Sequence, residues 1–369
     1  MTPLIIGAGP SGLAAALFLH ERGIRARIVD AAIEPSPWSK ALGVNPRTLD
    51  LLEPSGVAAA LLAEGQPIEA MRISRHGRAV ATIAFERAAI GARYPMTALP
   101  QARTEALLAK ALARRDVRIE RGVRFASLTQ DETGVRAELI HPDGSTETAR
   151  TALLLGADGA HSAVRKAVGI DFPGDSFAEI WTLADLELAG PAHGAIHMDF
   201  TTDGPFVALP ISEQRWRLIA MGGDVLARLP AGWSAGAVDW QSEFQISHRM
   251  AERMSIGRVA LVGDAAHIHS PIGARGMNLG IEDAWVWAAC AADALAGRAG
   301  RIDDYGRVRL DIDARIVGRL RRVTAAVRAR GVIADVLRRS LPPIVARVPA
   351  LRRGMLRQIA GLDHTIRVI

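Results

Sequence analysis

Residues 4–30 have the sequence LIIGAGPSGLAAALFLHERGIRARIVD. The apolar run at 4–6 is typical of a buried parallel strand, and an alanine-rich helix is predicted from Leu13 to His20. A G-x-G-x-x-G turn separates the two, and a second strand ends in Asp30, 18 residues after Gly12. This order of elements predicts a dinucleotide-binding βαβ unit and an α/β fold. The segment alone is compatible with either NAD or FAD.

The three glycines of this turn have different expected roles. Gly7 permits the tight turn, Gly9 lets the backbone approach a pyrophosphate, and Gly12 lets the helix pack closely on the strand. The helix N-terminus offers free N–H groups and the positive end of its dipole to the phosphates. Asp30 can accept hydrogen bonds from the hydroxyls of an adenosine ribose.

Two later segments repeat the strand–turn–helix pattern. Residues 153–165, LLLGADGAHSAVR, place Asp158 directly after a strand, where Ser162 or His161 can cap the next helix. Residues 257–278, GRVALVGDAAHIHSPIGARGMN, place Asp264 in a turn. A helix is predicted from about residue 279 to 295, with the acids 282 and 283 favouring its N-terminus.

In order and spacing, the three motifs resemble those of class A flavoprotein monooxygenases, the single-component aromatic hydroxylases typified by p-hydroxybenzoate hydroxylase. The phenol and polyketide hydroxylase branch is the most similar. Residues 40–48 and 99–105 also match, and the resemblance covers about residues 3–310. It implies one FAD, NADH or NADPH as reductant, and O2. It further implies a flavin C4a-hydroperoxide that hydroxylates an aromatic, phenolic or polycyclic substrate.

The resemblance also implies which residues bind the cofactor. Gly276, Met277 and Asn278 would lie beside the flavin ring, Asp264 would bind the ribitol, and Lys40 stands where many relatives have Arg. The full expected set is Gly7, Gly9, Pro10, Ser11, Gly12, Asp30, Lys40, Gln101, Asp158, Gly263, Asp264, Pro271, Gly276, Met277 and Asn278. We expect His267 and His269 to be structural, and we expect no metal.

The segment between the second and third motifs alternates as strands and predicts a mainly antiparallel sheet. In the family such a sheet forms the floor of the substrate pocket. The expected lining residues are His197, Phe206, Ala208 and Pro210, although an alternating strand with one buried face explains them equally well. Deprotonating a phenol would assist its hydroxylation. Tyr94 and His197 are the candidate bases, with His193 a further possibility, and the sequence assigns none of them.

The predicted fold class is α/β with an α+β substrate lobe. A Rossmann-like FAD-binding domain is expected over residues 1–70, 98–175 and 250–300, and a substrate-binding β-sheet domain over 71–97 and 176–249. Residues 301–369 are expected to form a C-terminal helical segment, with an amphipathic helix over 314–340.

Parts of the sequence are also compatible with other functions. A flavin-dependent halogenase carries W-x-W-x-I-P, but Trp285 and Trp287 lie in a predicted helix and favour core packing. A Baeyer–Villiger or epoxidising oxygenase on the same fold stays open. Residues 297–369 hold 17 arginines against six acids, which raises membrane or nucleic-acid binding. The segment lacks the aromatics of a base-stacking surface, so we expect no nucleic acid and at most weak membrane contact through the C-terminal helices.

The location is predicted to be cytoplasmic. The single cysteine, Cys290, allows no intramolecular disulfide and fits a reducing compartment. Residues 2–20 are uncharged, but glycines and a proline interrupt them, so we expect neither a membrane span nor a signal peptide. Oligomeric state does not follow from the sequence.

Overall fold

The computed structural model describes residues 1–39, 41–329 and 331–366. It begins with the predicted βαβ unit: β1 (Leu4–Ile6), α1 (Pro10–Glu21) and β2 (Arg27–Asp30). All three residues of β1 are buried, as expected for a strand covered by helices on both faces.

The next hundred residues mix short helices with short strands. In chain order these are β3 (Gly43–Val44), α2 (Pro46–Leu52), α3 (Val57–Glu64), β4 (Gln66–Ile68), β5 (Ala70–Arg75), β6 (Arg78–Ala84), α4 (Arg87–Ile90), β7 (Met96–Ala98), α5 (Gln101–Ala113) and β8 (Ile119–Arg121).

Residues 124–268 are mostly strands. They comprise β9 (Arg124–Asp131), β10 (Gly134–Ile140), β11 (Thr146–Thr151), β12 (Leu154–Gly156), α6 (Ala163–Ala167), β13 (Gly174–Ala189), β14 (Ala195–Thr201), β15 (Gly204–Pro210), β16 (Arg215–Met221), β17 (Ser234–Met250), β18 (Ser255–Ile256), β19 (Val259–Leu261) and β20 (His267–Ile268). Four helices follow: α7 (Gly276–Leu295), α8 (Arg301–Arg328), α9 (Val332–Arg347) and α10 (Pro349–Ile359).

The strands of all three motifs lie side by side in one six-stranded sheet, in the order β18-β19-β12-β1-β2-β8. Every pair in it is parallel except β18–β19. Since the carboxyl ends of β1, β12 and β19 meet at one edge, the turns that follow them converge there. The predicted α/β class is confirmed.

The predicted antiparallel sheet has eight strands, in the order β20-β17-β13-β16-β15-β14-β5-β6. The strand β17 was missed, because its first half is polar, glycine-containing and largely exposed. One pair, β14–β5, is parallel. Through this pair, β5 and β6, which precede the second motif in the sequence, join six strands that follow it. Smaller antiparallel sheets are β11-β10-β9 and β3-β7-β4.

The C-terminal segment is helical as predicted, but the single amphipathic helix predicted over 314–340 is wrong. The helix α8 ends at Arg328 and α9 begins at Val332, after Gly331 with its positive φ of 101°. Within the described residues, no helix is long and apolar enough to cross a membrane. The division into domains at the predicted boundaries stays a prediction.

Candidate active site

A cavity of about 1070 Å³ lies where the turns at the edge of the parallel sheet face the antiparallel sheet. Its walls on the first side come from the N-terminus of α1, from Gly159–His161, and from the loop before α7. Its walls on the other side come from β15, β16 and β17. Ligand pockets usually measure about 300–1,000 Å³, so this cavity has room for a large cofactor and a second molecule.

The glycine-rich turn presents backbone to this cavity. Gly7 has φ +105°, and a Cβ on Gly12 would lie 2.0 Å from the Gly7 carbonyl oxygen. The turn and packing roles predicted for these two glycines are therefore confirmed. A Cβ on Gly9 would meet no described atom within 4 Å, because that position opens into the cavity. Gly9 precedes α1 and no side chain caps the helix, so the first N–H groups of α1 are available to an anion.

Asp30 lies at the end of β2 beside this turn. Its Oδ2 accepts a hydrogen bond from the Ala8 N–H at 2.6 Å, and Oδ1 accepts one from the Ala32 N–H at 2.7 Å. The side chain remains 17% exposed. A carboxylate accepts about four hydrogen bonds, so capacity remains for ribose hydroxyls.

Asp158 does not line the cavity. Its Oδ1 accepts a hydrogen bond from Ser162 Oγ at 2.5 Å, and its Oδ2 accepts those of the Ala163 and Val164 N–H groups at 2.7 and 3.1 Å. Ser162 caps α6 in turn, accepting from the Arg165 N–H. Asp158 therefore fixes the turn whose next three residues face the cavity.

Four of the residues expected from the third motif line the cavity: Asp264, Pro271, Gly276 and Met277. The loop between them is strained at Ala274, which has φ +52° although it is not glycine. The helix α7 starts at Gly276, three residues before the predicted start, and has no side-chain cap. Its N-terminus therefore also presents N–H groups to the cavity.

Asn278 is buried and fully hydrogen-bonded. Its Oδ1 accepts from the Asn45 N–H at 2.9 Å and from Thr48 Oγ1 at 2.7 Å, while Nδ2 donates to the carbonyls of Gly43 and Ala274. It therefore holds the loop before α2 against α7. Gln101 lines the cavity and donates from Nε2 to Glu105. Lys40 lies outside the described residues.

The two histidines of the third motif differ. His267 is buried, its Nε2 lies 2.7 Å from Asp283 Oδ2, and it is structural as predicted. His269 lines the cavity. Its Nδ1 lies 2.9 Å from the Ser270 carbonyl oxygen, and its buried Nε2 has no hydrogen-bond partner among the described residues. Burial lowers the pKa of His269 to about 3, so the ring is neutral and Nε2 is an acceptor.

The residues predicted to line the substrate pocket lie on the wrong face of the sheet. His197 pairs with Ala208, and Ala208 with Leu218. This face packs into a separate apolar cluster that also contains Phe206 and Trp216. Pro210 pairs with Trp216 on the same side. His197 itself packs edge-on to Trp216 and Trp233, and its Nε2 lies 2.9 Å from the Ala192 carbonyl oxygen.

The opposite residues of the same strands face the cavity: Leu209, Arg217 and Ile219. Arg217 is 1% exposed and forms a bidentate ion pair with Asp185, with both N–O distances 2.7 Å. Its guanidinium lies 5.6 Å from the ring centroid of Trp240. Sequence reasoning missed this pair, although one charged residue on each of two neighbouring apolar strands was the available signal.

Two tryptophans form an aromatic wall of the cavity. Trp240 of β17 stacks on Trp38, with ring centroids 5.5 Å apart and planes 15° apart. Tyr94 does not reach the cavity; it lies at a small apolar hollow beside Ile90 and Leu356. Neither Tyr94 nor His197 is therefore positioned as a base for a molecule in the cavity.

Comparison with known proteins places this geometry in context. Residues 1–218 and 231–319 match the model of a family described as an FAD binding domain. The chain is 35% identical over 382 residues to a 6-methylpretetramide 4-monooxygenase of Streptomyces rimosus, covering 98% of this chain and 68% of that protein. Two further curated monooxygenases, at 30% and 34% identity, are covered over 64% and 60% of their length.

Solved structures agree with the fold. An anhydrotetracycline hydroxylase of Streptomyces rimosus superposes with a TM-score of 0.82 at 29% identity, over 98% of this chain and 76% of that one. A p-nitrophenol 4-monooxygenase of Pseudomonas putida superposes with a TM-score of 0.88 over 98% of both chains, at 19% identity. The second likeness concerns the fold alone.

Proposed function

We propose a function on the premise that this chain belongs to the FAD-binding family of class A flavoprotein monooxygenases, as its family match and its relatives show. The protein is an FAD-dependent monooxygenase that uses NADH or NADPH and O2 to hydroxylate a phenolic or polycyclic aromatic compound. The observation that carries this proposal is the cavity at the edge of the parallel sheet, where uncapped helix N-termini lie opposite an aromatic wall.

The residues present fit FAD. The N–H groups at the start of α1 and the open position at Gly9 suit a pyrophosphate, and Asp30 suits the adenosine ribose. Asp264 suits the ribitol hydroxyls, and the N-terminus of α7 suits the electron-rich edge of a flavin ring. FAD, when bound, would accept two electrons from a nicotinamide and activate O2.

The chain's own residues then bind and orient the substrate. Trp240 and Trp38 provide flat apolar surface for an aromatic ring, and together with Leu209 and Ile219 they exclude water. The Asp185 carboxylate fixes the guanidinium of Arg217, which provides a positive wall for an electron-rich or ionised hydroxyl. His269 Nε2 accepts a hydrogen bond from a donor on the bound ligand.

The aromatic substrate class is inferred from the relatives' names and from the cavity. The named relatives act on a pretetramide and an anhydrotetracycline. A cavity of about 1070 Å³ with a stacked tryptophan pair suits flat, fused-ring molecules.

We also propose a cytoplasmic location, on the basis of the buried single cysteine.

The halogenase alternative is disfavoured by the position of its apparent motif. Trp287 is fully buried in α7, and Trp285 packs against the guanidinium of Arg22 at 5.6 Å. Both tryptophans therefore belong to the helix packing and neither lines the cavity. A Baeyer–Villiger reaction would use the same cofactors and is distinguished by its product.

The test is an assay of the purified protein loaded with FAD. Oxidation of NADH and of NADPH is followed with and without phenols, fused-ring aromatics and pyridines, under isotopically labelled O2. We expect substrate-dependent oxidation with one labelled oxygen in a phenolic product. A labelled ester or lactone would indicate the Baeyer–Villiger alternative. A protein that stays colourless after reconstitution, or substrate-stimulated oxidation without labelled product, contradicts the proposal.

A further inference from the structure

The outer face of α9 is the most exposed apolar surface of the described chain. Six large apolar side chains on this helix are between 47% and 80% exposed: Val332, Ile333, Val336, Leu337, Leu341 and Ile344. Positions 333, 337, 341 and 344 recur at helical spacing, so these side chains share one face. Soluble proteins rarely leave such a contiguous stripe in water unless it serves as an interaction surface.

The exposure of this stripe does not result from loose attachment of α9, because the inner face of the helix packs against the antiparallel sheet. Ala334 is buried, and Asp335 forms an ion pair of 2.9 Å with Arg75 of β5. The Arg338 guanidinium lies 5.0 Å from the ring centroid of Phe200 in β14. Since these contacts fix the rotation of the helix, the apolar stripe has to face outward.

The charges around the stripe are mostly positive. Residues 332–359 contain six arginines and one acid, Asp335, whose carboxylate is paired with Arg75. Three of these arginines, Arg339, Arg347 and Arg353, are exposed and have no hydrogen-bond or ion-pair partner among the described residues. An apolar face bordered by unpartnered arginines is the pattern of a helix that lies in the headgroup region of an anionic membrane.

We propose that α9 and the start of α10 form a docking surface for an anionic lipid bilayer, with the stripe inserted among the acyl chains and the arginines at the headgroups. The same charges disfavour a second copy of this chain as the occupant. A two-fold contact through this helix would bring two sets of unpaired arginines together with one acid each, and that acid is already engaged. Long arginine side chains, by contrast, reach from an embedded helix to lipid phosphates.

The test measures co-sedimentation of the full chain, loaded with FAD, with phosphatidylcholine vesicles and with vesicles that also contain phosphatidylglycerol. We expect preferential binding to the anionic vesicles and release at about 1 M salt, where the Debye length falls to about 3 Å. The variant Ile333→Ser/Leu337→Ser should bind at least about tenfold more weakly, because two large apolar side chains are lost from the contact. Arg339→Ser/Arg347→Ser should lose the preference for anionic vesicles.

A matched control distinguishes binding through α9 from binding through any exposed apolar side chain. Ile33, in the loop after β2, is 78% exposed and Ile333 is 79% exposed, so Ile33→Ser removes the same side chain at the same exposure. Ile33→Ser should bind vesicles like the parent, whereas Ile333→Ser should not. Flavin absorbance of each variant checks that it is folded. Three results would overturn the proposal: no vesicle binding by the parent, equal binding to neutral and anionic vesicles, or a dimer in light scattering that Ile333→Ser/Leu337→Ser abolishes.

Discussion

Asp264 follows β19, the strand of the third motif, and is exposed to the cavity in the turn that starts at Gly263 with φ +58°. Asp264→Ala should weaken FAD binding by about 1.5–3 kcal/mol, the usual contribution of hydrogen bonds to a charged group. Equilibrium dialysis or flavin fluorescence measures the affinity. Asp203→Ala, in the exposed turn between β14 and β15, is the control and should bind FAD like the parent. Equal affinity in both variants would refute the assignment.

Gly9 and Gly12 belong to the same turn but respond to different forces. Gly9 has ordinary extended backbone and open space around a Cβ, so Gly9→Ala should leave the thermal stability of the FAD-free protein almost unchanged. It should weaken FAD binding more than tenfold, because the methyl group occupies the approach to the pyrophosphate. Gly12→Ala should destabilise the FAD-free protein by about 1–3 kcal/mol through overpacking against Gly7. The converse pattern would contradict both roles.

His269 and His248 are both buried, neutral histidines, but only His269 lines the cavity. Burial lowers the pKa of His248 to about 4 and that of His269 to about 3. His269→Phe should lower kcat/KM about tenfold or more, since a buried donor of the ligand loses its acceptor. His248→Phe should keep the parent's kcat/KM. The ratio of parent to His269→Phe should be constant from pH 5 to 9; a ratio that titrates near neutrality would contradict a neutral acceptor.

The residue scale also shows what a single sequence can predict. The spacing of Gly7, Gly9, Gly12 and Asp30 predicted their backbone environment, because the chemistry of the motif is local. Motif spacing did not predict that Asp158 caps α6 or that Asn278 bonds the loop at Asn45. The Asp158 bond spans only five residues, but Asn45 lies 233 residues from Asn278, so that hydrogen bond depends on the assembled fold.

At the scale of elements, α7 and α8 are joined by a buried network of charges. The Arg309 Nε donates to Asp283 Oδ1 at 2.7 Å, and its Nη2 donates to Asp313 at 2.6 Å. Asp283 Oδ2 also accepts the Gly263 N–H at 3.1 Å, which ties the network to the turn that carries Asp264. The expectation that Asp283 mainly favours the helix N-terminus is therefore wrong: it is a buried ion that positions the third motif.

This network predicts a pH dependence of stability. Burial alone would lower the pKa of His267, but the Asp283 carboxylate raises it to about 9. A raised folded-state pKa stabilises the fold fully below the unfolded value near 6.5 and loses this effect as pH rises through about 9. At pH 7 the parent should therefore be more stable than His267→Gln. This difference in the free energy of unfolding should shrink by something on the order of 3 kcal/mol between about pH 7 and pH 10. Urea unfolding measures both proteins; a gap that stays constant would show that His267 is neutral.

In the antiparallel sheet, the alternating sequence pattern predicted the strands but not which face of the sheet lines the cavity. Alternation has a period of two, so the sequence separates the set containing Ala208 from the set containing Leu209. Both sets are apolar here, because one face packs on Trp216 and Trp233 and the other lines the cavity. The charged residues would have indicated the cavity face, because Arg217 lies on that face with Asp185 as its neighbour on β13.

At the scale of the whole molecule, both sheets contribute to one cavity, and the sequence has a single G-x-G-x-x-G. We therefore expect the nicotinamide to need access to the cofactor bound in this cavity, without a second dinucleotide-binding unit of its own. Activated oxygen also has to be protected from water once it forms. Both needs are met if the aromatic substrate controls reduction, so that reducing equivalents are taken up only when a molecule to be hydroxylated is present.

An aromatic substrate should accordingly accelerate NAD(P)H oxidation by well over tenfold, a coupling free energy above about 1.4 kcal/mol. The loop between Pro271 and Gly276 is suited to this control, because Gly276 lines the cavity and places no side chain between the loop backbone and the cavity. Anaerobic stopped flow measures the rate with the compound that gives product and with its ring-saturated analogue as control. The analogue should leave the rate near its basal value, because it cannot stack on Trp240. If NAD(P)H is oxidised equally fast without any aromatic compound, substrate does not control reduction, and a substrate-independent oxygenase or a reductase describes this protein better.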